Sequence, residues 1–344
     1  MTALPPAAPL GRRILLLFGA LLAANIAAWA WAASLFHARP LMLGTALLAW
    51  GLGLRHAVDA DHIAAIDNVT RKLMNQGQRP LTTGLWFALG HSGIIALASL
   101  AVAMTANALA RFEALRQLGA LVATVVSASF LFAIAAMNLV ILRQVWRAFA
   151  HVRAGGACDD EDMDMLLAGR GVLARLFAPL FRLVSASWHM ALLGFVFGLG
   201  FDTATEVAIL GLSAHQGADG VGVGAVLVLP ALFAAGMALI DTADGVVMLG
   251  AYQWAFVKPV RKLYYNITIT LISAIVAMVI GGIETASLIA QRLGLHGGAW
   301  DVAAGLGGQF NRLGFAIIAL FVGCWVVSLA IYRWRGFDRV AEAA

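Results

Sequence analysis

Residues 55–67 read RHAVDADHIAAID, and their setting decides what kind of protein this is. Arg55, His56, Asp59, Asp61, His62 and Asp67 crowd into the end of an apolar run that begins at Leu41. Hydrocarbon rejects ionisable side chains, at a cost of at least ~2.5–3.5 kcal/mol for a charge at the centre of a spanning helix. A group of them in such a run faces a shared interior, where it serves transport or catalysis. The first question is therefore whether the run crosses a membrane.

Composition answers it. The 344 residues are 62% hydrophobic and 12% charged, with a mean hydropathy of +0.87, far outside soluble norms. The same values exclude a disordered chain. A helix needs about 20 apolar residues to cross the hydrocarbon core. Runs of that kind lie near 14–36, 41–67, 82–104, 118–142, 187–213, 223–253, 267–290 and 313–333. The expectation is an all-α, polytopic membrane protein, a bundle of eight transmembrane helices forming one domain over residues 1–344. The run at 223–253 is long enough to tilt or to contain a break. Arg12 and Arg13 precede the first run like the start of a signal peptide, but that run exceeds the ~7–15 residues of a signal core and reads as an uncleaved helix.

The net charge of +5 sorts by loop rather than forming a nucleic-acid footprint. Arg12 and Arg13, then Arg71, Lys72 and Arg79, then six arginines within 143–186, then Lys258, Arg261 and Lys262, and finally Arg333, Arg335 and Arg339 fall in alternate connections. The positive-inside rule makes both termini and the long 143–186 connection cytoplasmic. Within that connection CDDEDMD (158–164) reads as a solvated acidic loop. Cys158 and Cys324 lie in unlike contexts and suggest no disulfide or thiol metal site. No G-x-x-x-x-G-K-[ST] pattern is present, so the chain supplies no ATPase of its own.

Ionisable groups inside the spans cluster in four places: span 2; FALGHSG with His91 and Ser92; GFDTATE with Asp202 and Glu206; and GMALIDTADG with Asp241 and Asp244. At 1.5 Å per residue His56, His91, Asp202 and Asp241 lie roughly 14–27 Å into a ~30 Å core, deep enough to meet near the midplane. Helical phase tests span 2. At about 100° per residue, with His56 as zero, Asp67 falls near +20°, Asp59 near −60° and His62 near −120°. Asp61 falls near +140°, on the far side. A straight helix cannot bring His56, Asp61 and His62 to one ion. Either the helix is interrupted between Leu54 and Ile63, as at other midplane ion sites, or Asp61 faces a different partner.

Two imidazoles with carboxylates and no thiolate suit a borderline divalent transition metal such as Ni, Co, Zn or Mn. Met237 and Met248 share a stripe with Asp241 and Asp244, and ordinary packing is the reading for both. His37, His215 and His296 belong to external connections and read as solvated.

These residues resemble the nickel/cobalt transporter family, NiCoT. The likeness rests on His56-x4-Asp61-His62 within RHAVDADHI, GHS at 90–92, LGFDTATE at 199–206 and GMALIDTAD at 236–244, in that order. Gly93 departs from it, standing where the third-helix motif often carries a second serine. The resemblance implies uptake of Ni(II), with Co(II) the alternative cargo, by a multi-pass permease of the bacterial cytoplasmic (inner) membrane. It implies no resident cofactor and no ATPase subunit, with the metal as transported substrate and the bilayer as partner. The resemblance implies that His56, Asp61 and His62 are essential to metal uptake and that His91, Asp202, Glu206, Asp241 and Asp244 support it. The clustering of ionisable groups inside the spans adds Asp59 to the expected metal residues, which also include His91, and Asp67 and Ser92 to the supporting or path residues. The competing class is an intramembrane metal-dependent enzyme, whose usual H-E-x-x-H signature is absent. A serine protease built on Gly90-His-Ser92-Gly93 would need a histidine set beside Ser92.

Overall fold

A computed structural model describes residues 9–104, 108–153, 184–200, 204–218, 223–255 and 259–334. Every regular element among them is helical: α1 (Leu10–Phe36), α2 (Pro40–His56), α3 (Ala60–Asn75), α4 (Thr83–Met104), α5 (Ala108–Arg153), α6 (Met190–Phe197), α7 (Ala204–Ala218), α8 (Val223–Ala255), α9 (Pro259–Leu293), α10 (Ala299–Gly307) and α11 (Phe310–Trp334), with short 3-10 turns at Ser187–His189 and Gly198–Gly200. Leu15, Leu16, Ile26, Leu192, Val247 and Val327 are exposed on the outside of the bundle, an apolar surface that suits lipid and not water.

Among the described residues five helices are long and apolar enough to cross a membrane, in α1, α4, α5, α8 and α9. Two bent pairs, α2–α3 and α10–α11, pass the same test when each is joined. The chain is a multi-pass membrane protein. The run 187–213, expected as one helix, is instead divided into α6 and α7 around Gly198–Gly200, where two glycines in three residues weaken a helix. The connection 291–312, expected to be a loop, holds α10. By contrast α8 is continuous despite Pro230, so the break considered for that run is absent. Helices α5 and α9 overshoot their apolar cores, because hydropathy marks hydrocarbon thickness rather than helix length.

The long α8 packs on α1, α2, α3 and α4, and α9 lies along α5. Helix α4 is held between α8 and α6 through two small residues. A Cβ at Gly84 would overlap the Asp241 carbonyl, and one at Gly90 would overlap that of Ala191. Such backbone approach is the ordinary route to tight helix contact in an apolar medium. At one end of the bundle Lys72 Nζ donates to the Val184 carbonyl at 2.7 Å, and Gln78 Nε2 to that of Ser185 at 2.9 Å. Two connections expected on the same membrane face thus touch.

Candidate metal centre

The centre begins with the interruption of span 2. Helix α2 stops at His56, and α3 starts at Ala60 after a bend of 53°. Asp59 occupies the N-cap position of α3 with extended backbone (φ −71°, ψ 144°), a place where aspartate is favoured. Its side chain does not cap the helix. It reaches back instead, with Oδ2 2.9 Å from His56 Nδ1. The interruption falls inside the 54–63 window that helical phase called for, and it solves half of the phase problem. His56 and His62 now face each other with ring centroids 4.7 Å apart.

His91 enters from α4, with ring centroids 4.8 Å from both His56 and His62. One ligand atom from each of the three histidines lies within 4.8 Å of the others, and all three side chains are buried. Asp61, at the first turn of α3, lines the same cavity outside this group and is half-buried. The site thus gathers three histidines, where span 2 alone supplied two.

The hydrogen bonding around these rings fixes their roles. Asp59 accepts at His56 Nδ1, and Thr205 Oγ1 lies 3.1 Å from the same nitrogen. With its proton held there, His56 turns the Nε2 lone pair inward. His91 Nε2 lies 2.8 Å from that nitrogen and 2.9 Å from Glu206 Oε1. One ring proton on His91 Nε2 can point at only one of these two acceptors at a time. His62 Nδ1 and both oxygens of Asp241 are buried without a hydrogen-bond partner, and they stand 3.7 Å apart, too far to bond each other. Phe87 packs edge-on against His62 at 4.7 Å and Phe233 lies 5.5 Å from His56. These rings wall one side of the cluster with apolar surface, which strengthens charge interactions there.

The remaining expected residues divide. Glu206 and Asp241 flank the histidines as described. Asp67 accepts from Ser273 Oγ at 2.9 Å, one helical turn and a half beyond His62. Asp244 is half-buried with Oδ2 unbonded. Ser92 Oγ donates to Met237 Sδ at 3.5 Å, so the hydroxyl turns to a thioether and not to an imidazole. Met237 and Met248 are buried among core residues, as packing predicts. Asp202, His215 and the 158–164 acidic stretch lie outside the residues whose side chains are described. Gly90 permits the close α4–α6 contact, and its neighbour His91 lies in the histidine group. Thr205 and Phe87 stand within the quoted motifs but were passed over for the ionisable residues beside them, and nothing in sequence distinguishes Phe233 from helix interior.

A family model described as high-affinity nickel-transport protein, NicO, matches residues 42–331. The chain belongs to the NicO family. One NicO relative, the high-affinity nickel transport protein of Cupriavidus necator, is 57% identical over 327 residues, covering 95% of this chain and 93% of its own. The hydrogenase nickel incorporation protein HupN of Bradyrhizobium diazoefficiens is 53% identical, covering 92% and 83%. The cobalt transport protein NhlF of Rhodococcus rhodochrous is 40% identical, covering 84% and 82%. No solved structure matches the chain significantly.

Proposed function

We propose that this protein takes up Ni(II), with Co(II) the alternative cargo, across a bacterial cytoplasmic membrane. One observation carries the reading: three imidazoles from α2, α3 and α4 converge in an apolar interior, beside carboxylates whose bonding is incomplete. Two nitrogens each ~2.1 Å from a metal and at right angles to it lie roughly 3 Å apart. The His56–His91 separation of 2.8 Å is of that size. Nitrogen and carboxylate donors without thiolate fit Ni(II) and Co(II) better than a hard or a thiophilic ion. The named activities of the Cupriavidus and Rhodococcus relatives point the same way.

In this reading His56, His62 and His91 hold the cation. Glu206 and Asp241 neutralise its charge, Asp59 and Thr205 set the His56 tautomer, and Asp61 faces the cation's approach through the cavity. Asp202 belongs to the same path by its motif. Eight crossings, with α2–α3, α6–α7 and α10–α11 each counted as one, put both termini in the cytoplasm together with the basic 143–186 connection. The protein acts as a permease rather than an enzyme, without an ATPase subunit. An inside-negative potential favours entry of a divalent ion by about 4.6 kcal/mol per 100 mV, twice the single-charge value.

The test is Ni(II) entry into liposomes holding the purified protein under an inside-negative potential. Entry with the wild type and none with His62→Ala is the expected result. Wild-type vesicles no leakier to Ni(II) than protein-free ones would refute the proposal.

A further inference from the structure

A cavity of about 680 Å³ runs from the histidine cluster to the surface. His56, His62 and His91 line its buried end, and Gln291, Arg292, His296 and Asp301 line an exposed end. Between them one further acid faces the cavity. Glu284, on α9, is 7% exposed and accepts a hydrogen bond from Ser127 Oγ of α5 at 3.0 Å. It lies nine residues before the end of α9, roughly 14 Å inside that end. No motif quoted above includes it.

We infer that Glu284 is a transit carboxylate for the incoming divalent cation, received there before it passes to the three histidines. The inference rests on the uptake reading above. Three observations support it. A carboxylate this deep in an apolar bundle is costly unless it pairs or serves an ion path, and Glu284 lines the same cavity as the cluster. The acids along this cavity are Asp59, Asp61, Glu206, Glu284 and Asp301, against the guanidiniums of Arg55 and Arg292. That imbalance concentrates cations, and low-dielectric walls focus the field along it. At the inner end His62 Nδ1 is buried without a hydrogen-bond partner, so the route ends on a nitrogen ready to receive.

The chemistry at Glu284 differs in kind from that at the cluster. One carboxylate and one hydroxyl are hard oxygen donors, which hold a partly hydrated divalent ion weakly and discriminate little among transition metals. Three imidazoles bind more tightly and select. Conduction needs this order, with entry favourable but each early stop weak enough to leave. Glu284 therefore governs how readily the ion arrives, and the histidines govern which ion is carried.

The alternative is a structural tie, in which the Ser127–Glu284 bond does nothing but join α5 to α9. Two variants separate charge from bond. Glu284→Gln keeps the length and an acceptor for Ser127 but removes the charge. Glu284→Asp keeps the charge but withdraws it from Ser127. Initial rates of Ni(II) and Co(II) uptake are measured in proteoliposomes for wild type and both variants, with Ni(II) titrated calorimetrically into each in detergent. A transit carboxylate predicts that Glu284→Gln raises KM on the order of tenfold for both metals alike. Its maximal rate stays within about twofold, and calorimetric affinity at the cluster is unchanged. Glu284→Asp recovers most of the loss. The inference is overturned if Glu284→Gln transports like wild type, if it fails to reach the membrane, or if Glu284→Asp is the more impaired. A shift in the Ni-to-Co ratio would also overturn it, because selection would then reside at Glu284. A wild type that takes up neither metal removes the uptake reading itself, a result distinct from all of these.

Discussion

The two halves of α3 carry polar side chains of similar kinds and use them in opposite ways. Near its N-terminus, Asp59, Asp61 and His62 face a cavity, and His62 Nδ1 is left without a hydrogen bond. Further along, the polar groups are tied to other helices. Asp67 accepts from Ser273, Arg71 Nη1 donates to Thr270 Oγ1 at 2.8 Å, and Asn68 Oδ1 accepts from Asn138 Nδ2 at 2.8 Å. Asn68 Nδ2 also donates to the Ala64 carbonyl at 2.7 Å. Arg71 is 2% exposed, yet its charge sits among oxygen acceptors from α3 and α9. Polar groups that bond one another across helices lock a bundle. A buried polar atom left without a bond, such as His62 Nδ1, has its bonding capacity free for a ligand.

Substitutions on the two halves should therefore fail differently. The largest effect is expected from His62→Ala. It should lower uptake kcat/KM by at least about 100-fold while leaving membrane insertion and thermal stability close to wild type. Retained uptake would mean that the cluster is not the ion's resting place. Next is Asp241→Asn, which keeps the shape and removes the negative charge beside His62. Calorimetric Ni(II) affinity should fall about 10- to 100-fold, as for other groups that tune a ligand from behind. An unchanged affinity would detach Asp241 from the site. Arg71→Met should show the reverse pattern, with stability lowered by about 1–3 kcal/mol through the abandoned acceptors and the metal affinity of the folded fraction intact. Loss of affinity without loss of stability would erase the contrast between the two halves.

A smaller, graded effect is expected from pH. Each imidazole must be neutral to bind metal, so protons compete with the ion, and affinity falls as pH falls. Ni(II) affinity measured from about pH 7.5 down to about pH 5.5, across the ordinary histidine range near 6.5, should decline steadily. Affinity that rises on acidification would contradict an imidazole site.

Much of this was legible in the sequence, for reasons specific to particular residues. Period alone narrowed span 2 to two outcomes, an interruption near His56 or an Asp61 that faces elsewhere, because 100° per residue cannot set His56 and Asp61 on one face. The structure has the interruption, with Asp61 outside the histidine group. What phase could not decide was which residue the break would bring in. Asp61 remained at the cavity wall, and His91 completed the group from a helix 35 positions away. Glu206 and Asp241 were visible as intramembrane acids, but that they stand beside His91 and His62 depends on how α7 and α8 pack against α4 and α3. Glu284 escaped notice because it stands alone in GGIETAS, and its partner Ser127 is 157 positions distant. A single acid within an apolar run was nonetheless the signal that could have found it. The division of 187–213 was hidden for another reason. Its average hydropathy suits one span, and hydropathy does not register what two close glycines do to a helix.

The central claim is that His56, His62 and His91 together receive the metal. X-ray absorption on the Ni(II)-loaded protein in detergent tests this most directly, since imidazole rings leave a distinct multiple-scattering signature. The expected shell has two to three imidazole nitrogens and carboxylate oxygen at about 2.1 Å, and His91→Ala should reduce the imidazole contribution by one ring. A shell of oxygen alone, or one unchanged by His91→Ala, would contradict the claim.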